Sequence, residues 1–285
     1  MRSRAAAESA TAAAVPAAFE RRASRARALA GESKTAGPVL GFAAGLYRAQ
    51  ARLAAAIAQR HVARSFSGRL EEDAPRFADG FGELLAFAVE HGPPALAEAA
   101  RSRGDDDAPE ACARLLEWWA RRQTGTGHEE HETAAYLTRA LLRPYAEVLA
   151  ALEIRPVRAR SPGHCGFCGG APWIASRRTE PGGEGADGAQ RRLGCALCGA
   201  EWRTVRIHCP ACSEEDPAKL PVFRSDTYTS VRIEACETCR RYIKSIDLTL
   251  DNRSIPEVDD LLSLGMDLWA LDEGFTRIEP GLAGV

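Results

Sequence analysis

The sequence lacks an apolar run long enough to cross a bilayer, so we expect no stable membrane insertion. It also lacks the compact apolar stretch and small-residue cleavage site that mark a secreted protein. The formal net charge of -2 gives no whole-chain argument for a nucleic-acid or membrane partner. With 45% hydrophobic and 27% charged residues, the chain is predicted to be a soluble globular protein.

Cysteine is the residue type that stands out against this background. Eight of the nine cysteines form four Cys-x-x-Cys pairs, and the ninth, Cys112, lies on an apolar helix face and is expected in a core. Such pairs in a chain without a secretion signal are typical of metal ligation rather than of disulfides. The predicted ligands are Cys165, Cys168, Cys195, Cys198, Cys209, Cys212, Cys236 and Cys239.

The intervals between the pairs indicate which of them share a metal ion. Twenty-six residues separate Cys168 from Cys195, and 23 separate Cys212 from Cys236, so each interval can hold a β-hairpin. Only ten residues lie between Cys198 and Cys209. The second and fourth pairs each follow a basic-apolar step and precede an aromatic residue, as two tandem copies of one module would show. Sequential grouping is therefore predicted, although spacing alone leaves a crossed arrangement open.

A four-thiolate site is coordinatively closed, which argues against direct catalysis and predicts a protein that is not an enzyme. Gly169 and Gly199 follow the second cysteine of their pairs, where a positive φ would turn backbone N–H groups toward sulfur. Ser213 and Arg240 follow the other two pairs, and this difference leaves room for the two sites to differ in metal or potential. Iron and zinc both suit such ligands.

The pattern along the chain predicts an α+β, multidomain fold. Apolar residues recur at helical spacing through the first half, whereas glycine, proline, cysteine and β-branched residues take over near Ile154. We expect an all-α N-terminal domain, then two tandem rubredoxin-like or zinc-ribbon modules, then a C-terminal helix. The expected boundaries are 1–152 for the helical domain, 153–208 and 209–250 for the two four-cysteine modules, and 251–285 for the last helix and tail.

The last helix is predicted to begin at Pro256 and to stop at Gly274. An apolar stripe from Val258 to Trp269 places Trp269 in the core. Asp259 and Asp260 lie near the helix start, where acidic residues are common because of the helix dipole.

Several other features have simpler interpretations than a site. His164 and His208 precede cysteine pairs and are expected beside the ligands or in solvent rather than on the metal. His128 and His131 lack the spacing of a zincin helix and are read as a solvated helix start. A glycine-rich stretch at 181–188 is read as a mobile loop between the first two pairs.

Two further functions remain open from the residues alone. A basic stretch that includes Arg177 and Arg191 suggests a zinc-ribbon protein that binds nucleic acid. Residues 213–285 carry a net charge of -7 and the stretch has no interleaved aromatics, so a nucleic-acid partner is not the leading expectation. A rubredoxin-like electron carrier is the other alternative.

The chain resembles the FdhE-type formate dehydrogenase accessory proteins. The resemblance rests on four Cys-x-x-Cys pairs behind a helical half, on the segment from Ser254 to Ala270 (SIPEVDDLLSLGMDLWA), and on Phe42 to Gln50 (FAAGLYRAQ). It extends from about Pro38 to Ile278, and the stretch at 181–188 resembles a local insertion that leaves the ligands intact.

This resemblance implies a cytoplasmic bacterial factor that helps to mature respiratory formate dehydrogenase without being that enzyme. It implies binding to the catalytic subunit, which carries molybdenum or tungsten and iron–sulfur clusters, and two rubredoxin-like metal modules that hold iron or zinc. The oligomeric state, the residues that contact the client and the identity of the metal are not fixed by the sequence.

Overall fold

The computed structural model describes residues 2–124, 132–158, 160–179 and 189–284. The chain forms two compact units: a helical unit that contains residues 1–28 and 41–160, and a second unit that contains residues 29–40 and 170–285. The predicted α+β class, a helical N-terminal region followed by a region with a sheet, is confirmed. None of the helices in the described ranges is long and apolar enough to cross a membrane.

Amphipathic helices build the N-terminal region, as the apolar spacing predicts. In chain order they are α1 (Arg2–Glu32), α2 (Gly37–Ala63), α3 (Leu70–Asp73), α4 (Gly82–His91), α5 (Pro94–Gly104), α6 (Ala108–Thr124) and α7 (Glu132–Ala151), with 3₁₀ turns at Ala74–Arg76 and Ala78–Phe81. Pro94 occupies the first turn of α5, where its missing N–H costs nothing.

The core of the helical unit is centred on the completely buried Tyr145. Its ring stacks on Phe77 at 4.8 Å between centroids, and its hydroxyl donates to a carboxylate oxygen of Asp73 at 2.7 Å. The backbone N–H groups of Ser67 and Gly68 donate to the same carboxylate, at 3.0 and 2.9 Å. A buried carboxylate with these donors is satisfied, so Asp73 fixes the loop ahead of α3.

Among the described residues of the second unit, seven strands form one sheet. They are β1 (Pro172–Thr179), β2 (Ala189–Cys195), β3 (Glu201–Arg203), β4 (Val222–Arg224), β5 (Val231–Cys236), β6 (Arg241–Asp247) and β7 (Thr276–Arg277). The order across the sheet is β3-β2-β1-β6-β5-β4, and β7 pairs with β6. Every pairing within β1–β3 and within β4–β6 is antiparallel, whereas β1 and β6 pair in parallel.

This topology shows the predicted tandem repeat. In each half, a cysteine pair precedes two antiparallel strands, a second cysteine pair follows, and a third strand completes the set. The parallel pairing of Ile174–Arg177 with Lys244–Asp247 joins the two halves into one sheet.

The prediction of one continuous C-terminal helix is wrong. The segment folds as α8 (Pro256–Asp259), a 3₁₀ turn over Asp260–Ser263, and α9 (Leu264–Asp272). The start at Pro256 is confirmed, and Gly274 ends the segment with φ at 78°. The backbone carbonyls of Asp260 and Ser263 accept hydrogen bonds from the Lys244 ammonium, at 2.8 and 3.3 Å. Because these carbonyls bind the buried ammonium group, the backbone between the two helices forms a 3₁₀ turn instead of continuing as one α-helix.

Candidate metal centres

The first cysteine group lies where the turn before β1 meets the turn after β2. Cys165 and Cys168 precede β1, Cys195 ends β2, and Cys198 follows it. The four Sγ atoms lie within 4.8 Å of one another, and all four residues are buried. The Sγ atoms of Cys165 and Cys198 are 3.7 Å apart.

The second group repeats this arrangement around β5. It contains Cys209, Cys212, Cys236 and Cys239, whose Sγ atoms also lie within 4.8 Å of one another. Cys209 and Cys239 are separated by 3.7 Å between Sγ atoms, and Cys212 and Cys236 by 3.6 Å. The structure therefore confirms the sequential grouping of the pairs and excludes the crossed one.

These distances suit a metal ion rather than disulfides. A disulfide holds its sulfurs about 2.05 Å apart. A tetrahedral ion with bonds of about 2.3 Å to sulfur places its ligands roughly 3.8 Å apart. The separations of 3.6 to 3.7 Å fit the tetrahedron, so each group could hold one metal ion.

The backbone around each pair follows one pattern. The N–H of the first cysteine donates to the carbonyl five residues later in three pairs: Cys165 to Gly170, Cys195 to Ala200 and Cys209 to Glu214, each at 2.9 Å. In the fourth pair, Cys236 stands opposite Arg241 in the β5–β6 ladder, which is the same spacing. Four similar turns thus present the eight thiols in the same way.

All four turns place the residue after the second cysteine at positive φ. The prediction for Gly169 and Gly199 is confirmed, with φ of 73° and 67°. Ser213 and Arg240 adopt the same conformation, with φ of 65° and 56°. A side chain in this region costs about 1–2 kcal/mol. Ser213 and Arg240 therefore incur a conformational cost in the second group, and the glycines of the first group do not.

Backbone N–H groups also approach the sulfur atoms in the first group. The N–H groups of Leu197 and Cys198 donate to Sγ of Cys195, at 3.4 and 3.5 Å. Such bonds stabilise a thiolate and orient it toward the other ligands.

The two groups differ in exposure, and the thiols of the second group differ among themselves in acidity. Cys212 is exposed and Cys239 is half-buried, whereas the first group is entirely buried. Burial raises the pKa of Cys209 to about 11 and also raises the pKa of Cys239. Burial has the same effect at Cys236, but hydrogen bonds, chiefly from the N–H of Cys239, outweigh it and lower its pKa. A cation must therefore displace protons from Cys209 and Cys239, as metal binding to cysteine does in general.

Glu214 links the two turns of the second group. Its backbone carbonyl accepts from Cys209, and its carboxylate accepts from the Thr238 hydroxyl at 2.6 Å. The hydrogen bond from Thr238, together with N–H groups of the following residues, lowers the pKa of Glu214 to about 2. The charged carboxylate thus ties the third cysteine pair to the fourth.

The histidines and the lone cysteine lie outside both groups. His164 has its Nδ1 3.2 Å from the carbonyl of Pro162, and His208 has its Nδ1 3.7 Å from a carboxylate oxygen of Glu215. Neither is a member of a four-sulfur group. Cys112 is buried in the helical unit, as predicted. His128, His131 and the stretch 181–188 lie outside the described residues.

Beneath the sheet, the C-terminal segment forms a buried charge network that the sequence interpretation missed. The Lys244 ammonium lies 2.6 Å from Asp267 and 2.9 Å from Asp260. The Arg277 guanidinium lies 3.0 Å from Asp260 and 3.3 Å from Asp267. The hydroxyl of Tyr242 donates to Asp267 at 2.8 Å. Two cations face two carboxylates, so the network is balanced in charge.

The predicted roles of the apolar stripe and of its acidic residues need correction. The expectation that Trp269 lies in the core is wrong: it is 37% exposed, and the neighbouring Leu268 is 57% exposed. Asp260 serves ion pairs rather than the helix dipole, since it is completely buried against Lys244 and Arg277. The break at Asp260 rotates α9, so that Asp267 faces inward and Trp269 packs on Phe223 at the surface.

The C-terminal region matches a known family domain. Residues 207–282, which include the second cysteine group and the buried charge network, match the family described as "FdhE, C-terminal domain".

Curated relatives match a longer part of the chain than the family domain does. An FdhE homologue from Aquifex aeolicus is 33% identical over 121 residues, which is 42% of this chain and 41% of the relative. One from Pseudomonas putida is 30% identical over 152 residues, which is 52% of this chain and 46% of the relative. The matched part thus spans less than half the length of these relatives.

A solved structure shares the fold over most of the chain. The crystal structure of the FdhE protein from Pseudomonas aeruginosa superposes with a TM-score of 0.65 at 22% sequence identity, and the match covers 93% of this chain and 94% of that one. The family domain and the curated relatives therefore confirm, over part of the chain, the predicted resemblance to the FdhE family, and the solved structure shows the same fold over most of the chain.

Proposed function

We propose that this protein is a cytoplasmic accessory factor that helps to mature formate dehydrogenase by binding its catalytic subunit, and that it is not itself an enzyme. The FdhE C-terminal domain and the pair of four-cysteine groups support the proposal. A four-thiolate metal site has no open position for substrate or water, so such sites suit a scaffold or a redox sensor better than a catalyst.

The eight cysteines would hold two metal ions, one in each group. Both groups bring four sulfurs to the separations that a tetrahedral ion requires. Each ion would cross-link the two ends of a β-hairpin, which stabilises modules with little apolar core of their own. Iron would add redox sensitivity, and zinc would act as a structural cross-link.

Deletion of the gene tests the maturation role. We expect the deletion strain to lose formate dehydrogenase activity while it still synthesises the catalytic subunit, and the wild-type gene to restore activity. Unchanged activity in the deletion strain would refute the role. Activity should also fail to return with C168S or C236S, whereas C112A, which changes a buried cysteine outside both groups, should restore it.

Client binding needs a separate measurement. The tagged protein, expressed in its host, should co-purify with the catalytic subunit of formate dehydrogenase. Absence of the subunit from the purified complex, under conditions where maturation proceeds, would argue that the protein acts without stable binding.

Metal analysis decides whether the two centres hold iron, which would be redox-active, or zinc, which would be structural. Protein purified without oxygen should contain two metal ions per chain. Iron would give the visible absorption of an iron–thiolate centre, and a colourless protein with two zinc ions would exclude redox sensing and electron transfer.

A further inference from the structure

One face of the sheet carries a cleft of about 370 Å³ that is lined by six arginines. They are Arg177, Arg191, Arg206, Arg224, Arg232 and Arg241, and Glu234 is the one acidic residue among the lining residues. The wall also contains Cys209 and Cys236 of the second cysteine group. The cleft is thus a strongly positive site next to a candidate metal centre.

The strand registers explain how the arginines come together. Arg177 on β1 stands opposite Arg191 on β2, and Arg224 on β4 stands opposite Arg232 on β5. Residues paired across antiparallel strands share a face of the sheet, so each pair places two guanidinium groups side by side. Like charges in this position destabilise a sheet. Two such pairs concentrate positive charge in one cleft, where carboxylates or a ligand must offset it.

Internal carboxylates neutralise part of this charge. Glu234 bridges Arg191 and Arg232, at 2.7 and 2.8 Å, and Asp247 lies 3.3 Å from Arg177. Arg206 and Arg224 are exposed, and their side chains make no ion pair or hydrogen bond within the part of the chain that the structure describes. These two guanidinium groups remain available to a ligand.

We propose that this cleft binds an acidic, extended peptide segment of a partner protein. From β4 to β2 the sheet takes four steps of about 4.8 Å, or roughly 19 Å in all, which an extended peptide of about six residues spans. Carboxylates on alternate residues of such a peptide fall on one side, and guanidinium groups bind carboxylates through paired hydrogen bonds.

The remaining lining favours a peptide over a nucleic acid. Ile207, Pro210, Leu220, Val222 and Ile278 provide aliphatic contacts for the side chains between the carboxylates. Among the described residues the cleft lining contains no Phe, Tyr or Trp, and His208 is its one ring, so successive bases would find no row of stacking platforms there.

The inference depends on the proposed function only for the source of the peptide, which would be the client. A binding assay on the full-length protein separates the two, because it contains no formate dehydrogenase. If the peptide does not bind, the proposed role in maturation is unaffected. If the deletion strain keeps its formate dehydrogenase activity, the proposed peptide site is unaffected.

The probe is a fluorescein-labelled peptide, Glu-Val-Glu-Thr-Glu-Val-Glu-Thr, followed by fluorescence anisotropy. We expect saturable binding that weakens as salt is raised, and no binding by the peptide with Gln in place of each Glu. The double variant R206Q/R224Q should bind at least about tenfold more weakly, which corresponds to roughly 1.4 kcal/mol.

The control removes the same charge elsewhere. Arg21 and Arg64 are exposed arginines of the helical unit whose side chains, like those of Arg206 and Arg224, make no ion pair within the described residues. R21Q/R64Q should bind the peptide as the wild type does, and equal thermal unfolding of both double variants would show that folding is intact.

Three outcomes would overturn the proposal. One is equal binding by R206Q/R224Q and R21Q/R64Q. Another is tighter binding of a single-stranded octanucleotide, with R206Q/R224Q losing that binding, which would assign the cleft to nucleic acid. The last is displacement of the peptide by millimolar inorganic phosphate, which would indicate a small oxyanion site.

Discussion

The ammonium group of Lys244 lies 2.6 Å from a carboxylate oxygen of Asp267, and both side chains are completely buried. Removing one partner of a buried ion pair strands the other charge, at a cost of about 3–5 kcal/mol. We therefore expect K244M to lose stability by that order in urea unfolding. R253M, which removes an ion pair whose arginine is 81% exposed, should cost less than about 1 kcal/mol. Comparable losses in the two variants would contradict this view of the network.

The same network should set the acid sensitivity of the fold. Burial opposes ionisation of Asp260, but Arg277 and Lys244 outweigh it and hold its pKa below the ordinary value. A depressed carboxyl pKa stabilises the fold above the unfolded-state value of about 3.9, and this stabilisation is lost as pH falls through the lower folded-state pKa.

Urea unfolding of the wild type and D260N between pH 3 and 6 tests this expectation. D260N should be less stable at pH 6, and the difference between the two proteins should shrink as pH falls below about 4. Acid release of metal affects both proteins, so the difference isolates Asp260. A difference that is constant with pH would show that Asp260 does not titrate in this range.

The two cysteine groups should release metal at different rates. The first group is entirely buried, whereas Cys212 of the second is exposed, so a chelator reaches the second ion first. We expect two phases of release in a colorimetric chelator assay. C212S should remove the fast phase and C168S the slow one, each leaving one ion per chain. A single phase for both ions in the wild type would contradict the difference in access.

Ser213 offers a test of the strain in the second group. Its φ of 65° costs a side chain about 1–2 kcal/mol that glycine does not incur. We expect S213G to raise the free energy of unfolding of the metal-loaded protein by about 0.5–1 kcal/mol. G199A, at a φ of 67°, should lower it. If S213G destabilises the protein, the Ser213 side chain must make stabilising contacts that outweigh the cost of its positive φ.

The sequence predicted the cysteine grouping because ligand spacing is a local property of the chain. Twenty-six and 23 intervening residues suit a hairpin, and each hairpin brings its two pairs together. Pro256 and Gly274 were predicted as helix limits for the same reason, since both act through their own backbone.

The errors concern residues whose environment depends on distant strands. Trp269 was assigned to the core from periodicity, but the turn at Asp260, which serves Lys244, shifts the helix face. Lys244 shares one face of β6 with the buried Tyr242 and Ile246, and a lysine at such a position is the signal that could have indicated a buried partner. The arginine cleft depends on the β1–β6 pairing, which no local pattern indicates.

That parallel pairing also bears on what counts as an autonomous folding unit. The matched family domain begins at residue 207 and so contains β6 but not β1. A fragment cut there would leave the backbone of β6 without its neighbour and Arg277 without the carbonyl of Trp173, to which it donates at 3.1 Å. An unprotected strand edge promotes association with other chains. We therefore expect the matched family domain to be too short to fold as a soluble fragment. A soluble fragment should also include β1 and so should begin ahead of Pro172.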